Sequence, residues 1–321
     1  MLVTETAGAV QGGCKRALPS ALAEQPSRSF GALRGKIRRS FDPHSMNADL
    51  HCHSNVSDGL LTPREVARRA QAGGVTLWAL TDHDEVGGQA QARSEAEALG
   101  MRYLHGVEIS VTWASRTVHI VGLGLDPACP ALLAGLAATR SGRAARARAM
   151  SDSLAELGIE GAYEGALQYV SNPDLISRTH FARFLVEKGF AASTADVFER
   201  YLGEGKPGYV PHRWATLENA LEWIRAAGGE AVIAHPGRYK YTPLEFDALF
   251  GQFIDLGGKA IEVVTGSHTP DQYREYADVA RRFGFEASRG SDFHAPGEGR
   301  TELGKLPPLP SDLTPVWQRW L

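Results

Sequence analysis

The segment Ala48-Asp49-Leu50-His51-Cys52-His53, followed by Ser57-Asp58-Gly59, decides how this chain is read. Side chains alternate along a strand, so His51 and His53 leave one face and Cys52 the other. Two imidazoles at that spacing, next to a Ser/Asp/Gly loop, make a poor core and a good pair of metal ligands.

Outward from this strand (47–53), the pattern is strand then helix. Thr62-Pro63-Arg64-Glu65 is a capping box with proline at the first helical position, opening a helix to about Ala72. An apolar strand over 75–81 ends in Thr81-Asp82-His83-Asp84, and a helix over 86–99 stops at Gly100. Strands are expected at 103–111 and 118–125. Near-continuous apolar strands between helices predict a parallel sheet covered by helices. From about Asp126 to Pro207 only helices are expected, at 140–157, 165–170, 180–188 and 194–201. Alternation then resumes, with strands at 231–235, 260–264 and 285–290 and helices at 217–227, 244–256 and 271–283. The expected architecture is an α/β barrel in two parts, 46–125 and 208–321, interrupted by a helical insertion at 126–207.

Candidate donors share one position, at or just beyond strand ends. They are His51, His53, Asp58, His83, Glu108, His119, His235, Asp292 and His294. His119 is the exception, nearer the start of its strand. Barrel strands bring their C-terminal ends to one face, where such folds keep their chemistry. Nine nitrogen and oxygen ligands exceed one tetrahedral site and suit two or three clustered divalent ions, with Mn expected first and Fe or Zn as alternatives.

Composition narrows the partners. The apolar fraction of 43%, charged fraction of 22% and net charge of −3 are those of a globular protein without a bulk electrostatic affinity for nucleic acid. Three scattered cysteines, Cys14, Cys52 and Cys129, without a CxxC pair, predict a reducing compartment, the cytoplasm. No apolar run is long enough for a membrane-spanning helix, and nothing calls for an obligate protein partner. Residues 1–45 are rich in Ala, Gly, Ser and Arg and poor in acids. They read as a disordered extension, with Met46 as the natural start, or as a transit peptide.

The set DLHCHS–SDG, TDHD, GVEIS, HIVGLG, AHPGR and SDFH resembles the PHP (polymerase and histidinol phosphatase) family of metal-dependent phosphoesterases. The resemblance implies a distorted seven-stranded α/β barrel of PHP type with an inserted small helical domain. It also implies a division of ligands: His51, His53, Glu108 and Asp292 on a first metal, Glu108 with His119 and His235 on a second, and Asp58, His83 and His294 on a third. Asp58 stands where some members have histidine. The insertion, with Ile176-Ser177-Arg178-Thr179-His180-Phe181-Ala182-Arg183 and Gly205-Lys206-Pro207-Gly208, is similar to that of 3′,5′-nucleoside bisphosphate phosphatases and their 5′→3′ exoribonuclease relatives. The implied reaction removes the 3′-phosphate of a nucleoside 3′,5′-bisphosphate by attack of a metal-bridged hydroxide. Alternatives are exonucleolytic cleavage of short single-stranded RNA and a non-catalytic PHP module.

Such chemistry needs a proton for the leaving oxygen, for which His294, His180 and water are candidates, and fixed cations for the second phosphate. Arg178, Lys206 and Arg238 are the candidate cations, with His212 and His268 as further pocket residues. Asp82 is expected to orient an imidazole. Tyr209, Trp214 and Phe181 are possible base-stacking residues. The run Arg140, Arg143, Arg146 and Arg148 reads as a solvated helix face that would guide RNA if RNA is bound.

Overall fold

The computed structural model describes residues 43–321. Apart from the short turn Pro43–Ser45, the expected N-terminal extension, Cys14 included, lies outside the described residues.

Seven strands stand side by side in chain order: β1 (Ala48–Asp49), β2 (Leu77–Leu80), β3 (Arg102–Trp113), β4 (Arg116–Leu123), β5 (Glu230–Ile233), β6 (Ala260–Thr265) and β7 (Glu286–Gly290). The ring closes where the chain after β1 meets β7 and its continuation. Leu50 N donates to Arg289 O (3.0 Å), Asp292 N to His51 O (2.8 Å) and His53 N to Phe293 O (2.8 Å). Regular pairing of β1 ends at Asp49, so the expected strand over 47–53 is mostly irregular backbone held by these closing bonds.

The sheet is not all-parallel, as the apolar runs suggested. β4 pairs antiparallel with both β3 and β5. The cause is the two-residue connection Ala114-Ser115, whose φ values of 45° and 63° make a hairpin turn of the type that matches strand twist. No helix can cross in two residues, so the strand must return. This reversal brings the start of β4, and His119 with it, to the mouth where the parallel strands end.

Helices α1 (Pro63–Ala72), α9 (Pro243–Asp255) and α10 (Pro270–Phe283) open on the same device. Thr62, Thr242 and Thr269 each cap the amide three residues on, Glu65, Glu245 and Gln272 answer, and proline follows the cap. The remaining barrel helices are α2 (Gln89–Ala98), α3 (Pro130–Arg140) and α8 (Leu217–Ala226). Leu132 and Leu136 of α3 join the main barrel core with Ile120, Leu221 and Ile233, although this helix falls inside the stretch expected to be inserted. Each such side chain, fully withdrawn from water, stabilises the fold by roughly 1.5–3 kcal/mol.

A separate apolar cluster, from Ala147 to Leu202, forms the centre of a small helical cap. It contains α4 (Arg143–Ala155), α5 (Ala162–Leu167), α6 (Arg178–Glu187) and α7 (Thr194–Val197). The helix expected over 140–157 is α4, which starts only after Gly142, whose φ of 86° no helix tolerates, and α3 before it was not expected. Among the described residues no helix is long and apolar enough to cross a membrane.

Candidate metal centre

Glu108 lies at the middle of the site, fully buried on β3 and opposite His83. Its Oε2 is 3.3 Å from His51 Nε2, 3.3 Å from His53 Nε2 and 2.9 Å from His83 Nδ1. Its Oε1 is 2.9 Å from His119 Nδ1 and 3.0 Å from His235 Nε2. Asp292 Oδ1 completes the first group, 3.3 Å from His53 Nε2 and 3.6 Å from His51 Nε2. Asp58 Oδ1 faces His294 Nε2 at 3.4 Å, His83 Nε2 at 3.9 Å and His53 Nδ1 at 4.0 Å.

All nine expected donors therefore converge. The groups overlap: His119 and His235 share Glu108 Oε1, while His119 also gathers with His83 and His235 with His51. His53 also joins Asp58, His83 and His294.

The backbone is bent to serve this arrangement. His235 has φ 28° and Asp292 φ 55°, conformations that side-chain-bearing residues rarely adopt and that concentrate at functional sites. A Cβ on Gly290 would sit 2.2 Å from the Cβ of His51, so only glycine lets β7 pass so close to the first histidine.

The donor set fits divalent cations. Separations near 3 Å are the edges of a coordination shell with bonds of about 2.1 Å. His53 Nδ1, Asp58 Oδ1, His83 Nδ1, Glu108 Oε2 and His119 Nδ1 are all buried without a hydrogen-bond partner. Such atoms cost roughly 1–3 kcal/mol apiece unless something else binds them, and here they cluster among carboxylates and imidazoles. Burial opposes ionisation of Glu108, but the imidazoles of His83, His51 and His119 hold its carboxyl well below the usual range. Asp58 and Asp292 are likewise held down against burial, by His83 and His51 first among their neighbours. Burial pushes His235 down to about 3 and His294 to about 4, so both are neutral imidazoles ready to donate a lone pair.

Glu262 was not anticipated. It accepts from His51 Nδ1 (2.9 Å) and from His235 N (2.6 Å), orienting both ligands from behind. An acid inside the apolar run Ala260-Ile261-Glu262-Val263-Val264 was the available signal. Asp82 contacts no imidazole by hydrogen bond; it accepts from Ser54 N, Ser54 Oγ and Ser57 Oγ at 2.6–2.7 Å and so fixes the loop that carries Asp58.

A cleft of about 370 Å³ opens over the donors, its walls shared by barrel and cap. Arg143, Arg146, Arg178, Arg238 and Arg300 line it. Arg143 is buried and ion-paired with Asp84, itself held by Ser110 N and Oγ. Its guanidinium and that of Arg146 lie 4.6 and 5.3 Å from the Trp214 ring centre. Arg178 stands between Phe198 and Tyr209, at 5.6 and 5.7 Å. Burial, with Arg178 and Arg143 nearby, brings Arg146 down to about 9, still cationic at neutral pH. The expected solvated arginine face is therefore partly a cleft wall, because α4 begins at the cap–barrel junction. The aromatic rings Trp214 and Tyr209 support arginines, and Phe181 is buried in the cap core.

Other expected contacts fall elsewhere. Arg238 does face the cleft, 3.0 Å from Asp292 Oδ2. Lys206 is exposed on a turn and is not part of the cleft lining. His268 is buried beneath the loop after His235, accepting from Gly237 N (2.9 Å) with Nδ1 3.2 Å from Val263 O. His212 packs edge-on against Trp214 at 4.2 Å, outside the lining. His180, proposed for proton transfer, is fully buried, and its Nδ1 accepts from Ser177 N at the start of α6. The cap uses Nδ1 only, and Nε2 is buried without a hydrogen-bond partner.

A barrel mouth that gathers these imidazoles and carboxylates has the donors for the metal ions of a metal-dependent hydrolase. Comparison with known proteins is specific. The PHP domain model matches residues 49–128. The chain is 53% identical over 272 residues to a 3′,5′-nucleoside bisphosphate phosphatase of Chromobacterium violaceum, spanning 85% of this chain and 95% of the relative. It is 44% identical over 274 residues to the 5′-3′ exoribonuclease Rnm of Salmonella typhimurium, spanning 85% and 93%. A solved structure described as an amidohydrolase from Chromobacterium violaceum, with bound sulfate and no metal, superposes with a TM-score of 0.83 at 52% identity, covering 85% of this chain and 95% of that one. The chain belongs to the PHP family.

Proposed function

We propose that this chain is a phosphoric monoester hydrolase that removes the 3′-phosphate from nucleoside 3′,5′-bisphosphates, such as adenosine 3′,5′-bisphosphate, yielding AMP and phosphate. The observation that carries the reading is a nine-donor metal centre sharing one cleft with a wall of arginines. A substrate with two phosphates needs both features, one for reaction and one for grip. The 53% identity to a phosphatase of that name supports it.

In this reading His51, His53, Glu108 and Asp292 hold one ion, Glu108 with His119 and His235 a second, and Asp58, His83 and His294 a third, with manganese the first expectation. When bound, such ions supply a water ionised near neutral pH and neutralise charge on the phosphoryl oxygens. The chain's own residues do the rest. Glu262 keeps His51 and His235 aimed inward. Arg238, anchored on Asp292, faces the reacting phosphate, and Arg143, Arg146 and Arg178 grip the other one. The leaving oxygen takes its proton from water, because His294, the other candidate, is committed as a neutral ligand. Buried free thiols at Cys52 and Cys129 support a cytoplasmic location.

The second reading, 5′→3′ cleavage of short RNA, is favoured by the 44% identity to Rnm. Purified chain with manganese, offered adenosine 3′,5′-bisphosphate and a 5′-phosphorylated trinucleotide, separates them. Faster phosphate release from the bisphosphate upholds the proposal, and preferential mononucleotide release from RNA replaces it with the second reading.

A further inference from the structure

Asp58 belongs to the barrel, but the cap helix α6 occupies two of its acceptors. Its Oδ1 is turned toward His294, His83 and His53. Its Oδ2 accepts from Ser177 Oγ (3.0 Å), and its backbone oxygen accepts from Arg183 Nη1 (2.8 Å). Arg183 is only 6% exposed, and the rest of its fork is bidentate on Glu298, Nε to Oε1 at 2.8 Å and Nη2 to Oε2 at 2.9 Å. Glu298 lies four residues beyond His294. One guanidinium therefore ties together the loop carrying Asp58, the loop carrying His294 and the cap.

The other donors are fixed differently. His51 and Asp292 are joined by the barrel-closing backbone bond, and His51 and His235 both rest on Glu262. None of these supports involves the cap.

We infer that Ser177 and Arg183 are positioning residues for the Asp58–His83–His294 group, so that the ion held there depends on the docked cap while the ions around Glu108 do not. The inference rests on the metal-centre reading above. It follows from the geometry of a short carboxylate on a loop. With Oδ2 and the carbonyl both anchored, the aspartate keeps Oδ1 pointed at the imidazoles. With either anchor released, it turns toward water, and loss of a ligand's orienting partner typically weakens metal binding 10–100-fold.

The test uses the full chain, stripped with chelator and reloaded. Mn2+ is titrated into wild type, Arg183→Met, Arg183→Lys and Ser177→Ala by calorimetry, and manganese is counted after desalting. The expected result is that Arg183→Met and Ser177→Ala retain one ion fewer per chain, with the weakest binding step 10–100-fold weaker and the tighter steps unchanged. Arg183→Lys keeps one hydrogen bond of the fork and falls between. Thermal melts verify folding; if Arg183→Met does not fold, Ser177→Ala, which releases Asp58 Oδ2 without touching the buried guanidinium, carries the test. Variants that match wild type, or that lose all ions in proportion, overturn the inference. A wild type that binds no manganese overturns the metal-centre reading instead.

Discussion

Glu108 and His235 meet at 3.0 Å, Oε1 to Nε2, while the second oxygen of the same carboxylate faces His51, His53 and His83. One buried side chain thus has a donor atom on each side of the centre. Glu108→Gln keeps the shape and removes the charge that balances these imidazoles. Phosphate release is expected to fall roughly a hundredfold or more, with loss of bound metal. Activity and metal content measured together check this; full metal content with full activity refutes the assignment.

Chelation should abolish turnover, and manganese should restore it. Because ions bind the folded chain and not the unfolded one, the melting temperature should drop in the stripped protein and recover on reloading. A scanning melt with and without chelator reads both effects.

Arg146→Ala and Arg178→Met remove cations from the cleft wall without touching the donors. A charged hydrogen bond is worth about 1.5–3 kcal/mol, so KM for adenosine 3′,5′-bisphosphate should rise about ten- to hundredfold. Turnover of p-nitrophenyl phosphate, which has no second phosphate, should barely move. Lys206→Ala, outside the lining, should change KM by no more than about twofold.

His268 carries a pH dependence that owes nothing to metal. Burial lowers it to about 4, and its Nε2 accepts a hydrogen bond from the backbone amide of Gly237. Protonation would set two N–H groups against each other. Its folded pKa lies below the unfolded value of about 6.5, so its stabilising contribution is complete above pH 6.5 and drains away as pH falls toward 4. The amount is on the order of 3 kcal/mol. Stability of wild type relative to His268→Gln, measured by urea unfolding, should shrink across that window. A constant difference refutes the assignment.

The donors are open to view in the sequence because a histidine or acid at the end of an apolar strand has few other uses. What pattern alone hides is direction and depth. β4 looks like any parallel strand until the two-residue turn before it is counted, and the odd position of His119 was the visible symptom. Arg143 and Arg146 have helical spacing that suits a solvated face, yet α4 starts at a junction where that face is enclosed. Glu262 sits in a strand whose apolar neighbours dominate the pattern. Lys206 and His268 have suitable chemistry and unsuitable locations, and only tertiary packing distinguishes the two.

The hairpin at Ala114-Ser115 acts as a ruler. Trp113 faces Arg116 across it, and counting back along the pair sets Ser110 opposite His119. One residue added and absorbed by β4 would invert every side chain on that strand. His119 would then point into the helical layer, and a valine or isoleucine would take its place among the imidazoles. An indel of a single residue, made more than ten ångströms of chain from the ligand, would disarm the enzyme with every catalytic residue still present.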